Sequence, residues 1–224
     1  MTSVWVGKKY MLNEAAPAFE PEYFGAKHIT TPNIHPVPGR DSSPCVVVGN
    51  GLWREKIYHF LPDRPPSSAG DEIQTEFFVR YEDFISVMDV LYGIRDTFLH
   101  LVQVTEVRMC APDDIPMSPA KGSAAYIGIH WTWYRKHAQI VAALPKIEKA
   151  LERFNVKPHV GKLFGLSGER FEALYGQDLE ILRSLITFHD PSGKFRNEYM
   201  DKYIFANSRW KATVNKSVLP AANL

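Results

Sequence analysis

The spacing of hydrophobic and polar residues predicts strands and helices from about residue 72 onward. Apolar side chains occupy every second position over 72–80, which is the period of a β-strand. They then recur every three or four positions over 81–98, which predicts a helix. The same reasoning assigns the rest of the chain. It predicts strands over 101–110 and 125–134, helices over 137–154, 168–175 and 178–189, a loop over 111–123 and a turn over 190–193.

Three features modify this regular pattern. Pro145 lies inside the helix predicted over 137–154 and should kink it or mark a restart, because proline offers no N–H to the preceding turn. Residues 11–70 are rich in Pro and Gly, so we expect them to run as a loop over a surface supplied by something else. The chain from about Phe205 onward should be a frayed or partner-dependent tail. The pattern as a whole predicts an α+β fold, with a mostly antiparallel sheet flanked by helices.

Composition narrows the function classes. Lys and Arg number 26 against 25 Asp and Glu in 224 residues, so no excess positive charge exists to attract nucleic acid. The two cysteines, Cys45 and Cys110, stand in no zinc-binding spacing and suit a reducing compartment. No run of about 18 apolar residues predicts a transmembrane helix. We therefore expect a folded protein of the cytoplasm that does not bind nucleic acid.

Candidate chemistry lies on two of the predicted strands. Glu106 and Arg108 alternate with apolar neighbours, so they lie about 6.6 Å apart on one face, together with Val102 and Val104. In the strand over 125–134 the two faces differ, and one of them suits a pocket that a small polar molecule enters. The apolar face carries Ile127, Ile129, Trp131 and Trp133, and the polar face carries Tyr126, Gly128, His130 and Thr132. If the strands pair, the polar residues form a surface suited to a row of hydroxyl groups.

A structural interpretation competes with this one. Glu106 and Arg108 can form a same-face ion pair of little energetic value, and His130 can be a hydrogen-bonded core residue. Lys162, in the segment 157–164, could enter a site as a desolvated proton acceptor, but a lysine in a loop after a helix is usually solvated. Spacing alone favours the structural alternative, because ordinary ion pairs imitate active sites.

Several short runs occur in a characteristic order along nearly the whole chain, among them HPVPG, QTEFFV, HWTW, KPHVGKLF and DPSGKFRN. Together they resemble the alditol and xylitol oxidases, relatives of the aldonolactone oxidases within the flavoproteins of vanillyl-alcohol-oxidase type. The resemblance implies that Glu106, Arg108, Thr132 and Lys162 bind substrate hydroxyls, with His130 and Lys162 as catalytic residues beside the hydroxyl that is oxidised. It implies FAD as cofactor, a polyol or sugar lactone as substrate, and O₂ reduced to H₂O₂.

The resemblance also predicts a domain organisation. Residues 1–164 would be a substrate-binding cap without its first strands, with 4–9 as an interior strand of it. Residues 165–206 would return to a flavin domain, and 207–224 would be a tail. An N-terminal FAD-binding domain would be absent, so a separate domain or subunit would supply it, and the chain alone would be inactive. Val160 stands where the family usually has Trp, which could loosen the pocket. The alternative is a non-catalytic remnant or interaction protein of the same fold that binds no flavin.

Overall fold

The computed structural model describes residues 15, 22–23, 25–27 and 72–206. The chain divides into two units, Met1–Glu72 and Ile73–Leu224. The described part of the first unit is a small antiparallel pair, β1 (Glu22–Tyr23) and β2 (Ala26–Lys27), within the stretch predicted as loop. The rest of that stretch, the strand predicted over 4–9 and the tail over 207–224 lie outside the described residues, so these expectations stay predictions.

The second unit is built on a four-stranded antiparallel sheet. Its strands are β3 (Ile73–Arg80), β4 (Val102–Cys110), β5 (Tyr126–Trp133) and the short β6 (Lys157–Pro158), in the spatial order β4-β5-β3-β6. The bounds of β3, β4 and β5 agree with the predicted bounds to within about two residues at each end. The predicted fold class, an α+β chain on an antiparallel sheet with helices, is therefore confirmed.

One face of the sheet packs against two helices and is called the core face here. The helices are α1 (Phe84–Gly93) and α2 (His137–Leu151), and their apolar sides bury against the aromatic and β-branched residues of β3 and β5. Trp133 is fully buried, and its indole N–H donates to the Thr75 hydroxyl at 2.9 Å, so the polar atoms in this layer are paired. The core face contains Phe77, Val79, Ile127, Ile129, Trp131 and Trp133.

The C-terminal helices form a second apolar cluster around Phe164 and Phe171. They are α3 (Gly168–Tyr175), α4 (Gln177–His189) and a π-helical turn over Met200–Ile204. The fully buried Arg183 of α4 donates to the Ile204 carbonyl and pairs with two glutamates, which fastens the π-helical turn to α4. The α3 and α4 predictions are confirmed, whereas the π-helical turn had no signal in the apolar pattern.

The structure corrects three local expectations. The helix predicted over 81–98 is divided into a 3-10 turn (Tyr81–Asp83), α1 and a second 3-10 turn (Arg95–Thr97), because Ile94 leaves helical geometry with φ −106° and ψ 9°. Further 3-10 turns cover Leu99–Leu101 and Glu152–Phe154. Pro145 does not force a restart, since α2 runs continuously through it. Val102 belongs to the core face, because a bulge between Val102 and Val104 turns the start of β4 over.

Candidate functional site

Three charged or ionisable side chains stand in one row across the sheet, on the face opposite the core face, called the site face here. In the strand register, His130 of β5 lies opposite Glu76 of β3 on one side and Glu106 of β4 on the other. Residues that are paired across antiparallel strands project to the same face, so these three side chains meet. The pairing of β4 with β5 that the sequence hypothesis required is therefore present.

Four charged groups on the site face form a continuous network. Glu76 binds the Lys162 ammonium through Oε2 at 2.5 Å and the Arg108 guanidinium through Oε1 at 3.0 Å. Arg108 also donates through Nη2 to Oε2 of Glu106 at 2.6 Å. The ion pair between Glu106 and Arg108 that spacing predicted is thus present, but it is one part of a larger arrangement in which a buried carboxylate holds two cations.

The environment of this network keeps both carboxylates ionised. The neighbouring His130 imidazole and the Arg108 guanidinium outweigh the effect of burial and lower the pKa of Glu106 to about 2. Burial would raise the pKa of Glu76, but the hydrogen bond and charge of Lys162, with Arg108, outweigh it and hold that pKa below its usual value. At neutral pH the site therefore presents two carboxylates that are balanced by two cations.

His130 differs from a hydrogen-bonded core histidine. Its side chain is 3% exposed, and within the described residues neither ring nitrogen has a hydrogen-bond partner. The closest charged contact is from Nδ1 to Oε1 of Glu106 at 3.6 Å, which is an electrostatic contact and too long for a hydrogen bond. Buried polar groups without partners are uncommon and cost free energy. This imidazole is therefore suited to form a hydrogen bond with a polar group of a ligand. This observation favours the site interpretation of His130 over the core one.

Lys162 reaches the site from a tight turn after β6. The His159 N–H donates to the Glu76 carbonyl at 2.9 Å and the Lys162 N–H donates to the His159 carbonyl at 3.0 Å, so the turn is anchored to the edge of β3. The Gly161 N–H donates to Nδ1 of His159 at 3.1 Å, which closes the turn. The side chain of Lys162 is only 16% exposed. It therefore lies in the site. Spacing alone had favoured a solvated lysine, and the structure does not support that alternative.

Thr132 and Val160 complete the set of residues named from the sequence. Thr132 is buried on the site face, two residues along β5 from His130, opposite Gln74 of β3 and Val104 of β4. Val160 is half-exposed in the turn that carries Lys162, and its carbonyl accepts a hydrogen bond from the Tyr199 hydroxyl at 2.9 Å. Thus Thr132 lines the same face as the charged network, whereas Val160 stands in its supporting loop.

Sequence reasoning did not identify Glu76 as a site residue, and it placed Gly128 on the polar face without giving it a role. Glu76 lies at a polar position of a well-predicted strand, but no local pattern shows that it faces His130. Gly128 lies between Phe78 and Arg108 in the register, and a Cβ on it would come within 2.8 Å of Oε1 of Glu76. The pairing of β3 with β5 was the signal needed to find both residues.

The DPSGKFRN run has a structural explanation within the described residues. The Asp190 carboxylate accepts hydrogen bonds from the backbone N–H groups of Lys194 and Phe195 at 2.8 and 2.9 Å. The Asn197 side-chain oxygen accepts from the Met200 N–H at 3.0 Å, which begins the π-helical turn. These contacts shape the turn after α4 and bring no side chain to the charged network.

The fold and the site together define an α+β protein whose antiparallel sheet carries a charged site for a small polar ligand. The helices in the described part are too short or too polar for any of them to cross a membrane. A family model described as D-arabinono-1,4-lactone oxidase matches residues 79–203, a range that contains Glu106, His130 and Lys162. The match covers more than half of the chain.

A curated relative agrees with that match. An alditol oxidase from Streptomyces sp. (strain IKD472 / FERM P-14339) is 34% identical over 169 residues, which is 75% of this chain and 40% of the relative. The chain belongs to the alditol oxidase and D-arabinono-1,4-lactone oxidase family of oxidoreductases, which confirms the resemblance drawn from the sequence. It spans about 40% of the length of that relative.

Proposed function

We propose that this chain supplies the substrate-binding part of an FAD-dependent oxidase that acts on alditols of the xylitol or sorbitol type. The observation that carries the proposal is the buried His130, whose two ring nitrogens lack partners within the described residues and which stands between two ion-paired carboxylates. Family membership supports an oxidoreductase. The name of the curated relative supports a polyol as the substrate class.

The side chains of the site face match the hydrogen-bonding needs of a polyol. Each hydroxyl group donates one hydrogen bond and accepts up to two, so a row of hydroxyls needs both acceptors and donors. Glu106 offers carboxylate oxygens, Arg108 and Lys162 offer N–H groups, and Thr132 offers both kinds. We assign these four residues to the binding of substrate hydroxyls. The ion pair of Glu106 with Arg108, and that of Lys162 with Glu76, hold the three charged side chains in place before a ligand arrives.

We assign His130 and Lys162 to the reacting hydroxyl. Oxidation of an alcohol removes a proton from the hydroxyl oxygen and a hydride from the carbon that bears it, so the site needs a proton acceptor. An imidazole with an unpartnered nitrogen can take that proton, with Glu106 3.6 Å away to stabilise the resulting cation. Lys162 is paired with Glu76 and is therefore placed to donate a hydrogen bond to the substrate oxygen.

FAD, when bound, supplies the acceptor for the hydride. The orphaned imidazole fits the substrate side of such a reaction, and we assign no described residue to holding FAD itself. A separate FAD-binding domain or subunit is the partner we propose, so that the chain by itself is inactive. O₂ is the final electron acceptor in this proposal and H₂O₂ is its reduced product. Because the chain has only two cysteines, we place this activity in the cytoplasm.

A sugar lactone is the second candidate substrate. The description of the matching family model, D-arabinono-1,4-lactone oxidase, favours it. A lactone ring offers fewer hydroxyls than an open polyol and one carbonyl, which accepts hydrogen bonds only. Arg108 and Lys162 would contact such a carbonyl as donors, and Glu106 would keep fewer partners. Affinity for xylitol relative to D-arabinono-1,4-lactone separates the two candidates.

The binding test uses the full chain, residues 1–224. Xylitol, sorbitol and D-arabinono-1,4-lactone are titrated while chemical shifts are followed by NMR, and 1,5-pentanediol serves as a five-carbon control without internal hydroxyls. We expect xylitol to bind and the control not to bind. Arg108→Gln should weaken xylitol binding about tenfold or more, since one hydrogen bond to a charged group is worth about 1.5–3 kcal/mol. The matched control Arg80→Gln removes an exposed arginine that pairs with Glu82 and should leave affinity unchanged.

A second measurement addresses the cofactor and the product. The chain is mixed with FAD, the flavin absorbance is recorded after removal of free FAD, and H₂O₂ is assayed with xylitol. We expect neither retained flavin nor peroxide from the chain alone. Retained FAD together with peroxide would contradict the need for a separate FAD-binding partner. Failure to bind any of the three hydroxyl ligands would contradict the substrate-binding role and favour a non-catalytic protein of the same fold.

A further inference from the structure

Glu76 stands at the centre of the charged network, yet both of its oxygens are already occupied. Its side chain is 4% exposed, with Lys162 on Oε2 and Arg108 on Oε1. The two cations come from separate parts of the fold, since Lys162 follows β6 and Arg108 lies on β4, which is two strands away from β3. A carboxylate whose two oxygens are both engaged by protein cations is poorly placed to bind substrate, but it fixes the positions of those cations.

We propose that Glu76 is a positioning residue that aims the Lys162 ammonium and the Arg108 guanidinium at the substrate, and that Gly128 is the residue that makes this possible. The inference rests on the proposed function, because it concerns the same hydroxyl-binding site. It adds two residues to which neither the sequence patterns nor the family comparison gives a role.

Gly128 supplies the space that the arrangement needs. Arg108 lies opposite Gly128 in the β4–β5 register, so its side chain must cross β5 to reach Glu76 on β3. A Cβ at position 128 would stand 2.8 Å from Oε1 of Glu76 and 3.4 Å from the Phe78 ring. The first distance is shorter than real Cβ atoms tolerate, so any other residue would displace the Glu76 carboxylate. Because Gly128 has no side chain, the space above its backbone is free for the contact between Arg108 and Glu76.

The chemistry of the network explains why a carboxylate is required. Arg108 bridges two carboxylates, with Nη1 on Glu76 and Nη2 on Glu106. Without Glu76, Lys162 would lose its only hydrogen-bonded side-chain partner identified in the described part, and Arg108 would be held by Glu106 alone. Both long side chains would gain rotamer freedom, which a ligand would have to remove on binding. Glu76 therefore prepares the donors of the site before substrate arrives.

The experiment compares the full chain with Glu76→Gln, Gly128→Ala and the control Glu82→Gln, which removes an exposed glutamate that pairs with Arg80. In chains labelled with ¹⁵N-lysine, the Lys162 ammonium signal is identified by its loss in Lys162→Met. We expect it to shift or broaden in Glu76→Gln and in Gly128→Ala, and to stay unchanged in Glu82→Gln. Xylitol affinity should fall about tenfold in the first two variants. It should change less than twofold in the control.

Gly128→Ala is the more decisive variant, because it keeps the carboxylate and moves it only by steric contact. An unchanged Lys162 signal in both site variants, with circular dichroism showing that they are folded, overturns the proposal. If the unmodified chain binds none of the hydroxyl ligands, the proposed function fails, and the Lys162 signal alone decides the positioning role.

A measurement on the unmodified chain covers the case in which both variants unfold. The pH is lowered, and the protonation of Glu76 is monitored through ¹³C-labelled glutamate. The Lys162 signal should move over the pH range in which Glu76 is protonated. A Lys162 signal that does not respond to this protonation contradicts the positioning role.

Discussion

Strand β5 has two buried faces that are stabilised in different ways. On the core face, Trp131 and Trp133 pack with ring centroids 5.5 Å apart under α1 and α2, and apolar contact dominates. On the site face, His130 and Thr132 are nearly as buried, but His130 lies between two carboxylates, Glu76 and Glu106. Apolar packing has no direction and depends mainly on shape and volume, whereas an ion pair depends on the identity and geometry of both partners. Burial by itself therefore does not distinguish the core of this protein from its site.

The largest expected effect concerns the core face. Trp133→Ala should lower the free energy of unfolding by about 3–5 kcal/mol, because it removes a fully buried aromatic side chain and leaves the Thr75 hydroxyl without its indole partner. Urea unfolding followed by circular dichroism measures the change. The neighbouring Tyr134→Ala removes a half-exposed ring and should cost much less. Equal losses in the two variants would show that the core face does not depend on Trp133.

A smaller effect is expected from one charge on the site face. Lys162→Met keeps the length of the side chain but leaves Oε2 of the buried Glu76 unpaired, so stability should fall by about 1–3 kcal/mol. The matched control Lys149→Met breaks a surface pair with Glu152 and should cost clearly less stability, because solvent screens that pair. Both variants are compared by urea unfolding at neutral pH. If the two losses are equal, the buried ion pair behaves like a surface pair and the contrast between the two faces is lost.

The smallest effect is a change in the pH dependence of stability. The pKa of Glu106 is about 2 in the folded chain against 4.5 ordinarily, so its contribution is present above pH 4.5 and is lost as the pH falls toward 2. Glu106→Gln should therefore flatten the fall in stability over this range. Because the Glu106 side chain is 45% exposed, solvent screening keeps the difference below about 1 kcal/mol. The measurement is the urea midpoint at pH 2.5 and at pH 6, and an unchanged difference between the two would contradict the role of Glu106.

Local periodicity predicted the elements because each of them directs apolar side chains from one side into a core cluster. The bounds of β3, β5, α3 and α4 follow from the alternation or the three-to-four spacing of their own apolar residues. The same spacing continued to Phe98 and predicted too long a helix after β3. Phe98 is in fact buried, but the chain reaches it through 3-10 turns after Gly93. A spacing of three residues is compatible with both helix types, so the pattern could not separate them.

Only those site residues that stand out within a single strand could be predicted from the sequence. Glu106 and Arg108 lie two residues apart on β4, and His130 stands out on the polar face of β5, so each could be named from the sequence. Glu76 could not be named, since its importance arises from its position opposite His130 and from a lysine 86 positions later in the chain. Register between strands that are distant in sequence is set by the whole sheet, and no local pattern contains it.

The bulge near the start of β4 limits how the length of this strand can vary. Gln103 is the extra residue between Val102 and Val104, and its side-chain amide donates to the Trp133 carbonyl at 2.9 Å. Deleting it would leave Val102 opposite Trp133 and Val104 opposite Thr132, so Val102 and the pair formed by Glu106 and Arg108 would keep their opposite faces. A change of one residue within 104–110 would instead turn part of the strand over, so length changes should be excluded there in functional homologues and be tolerated at position 103 and in the loop over 111–123. The bulge thus accommodates one extra residue without changing which side chains of β4 face the core and which face the site.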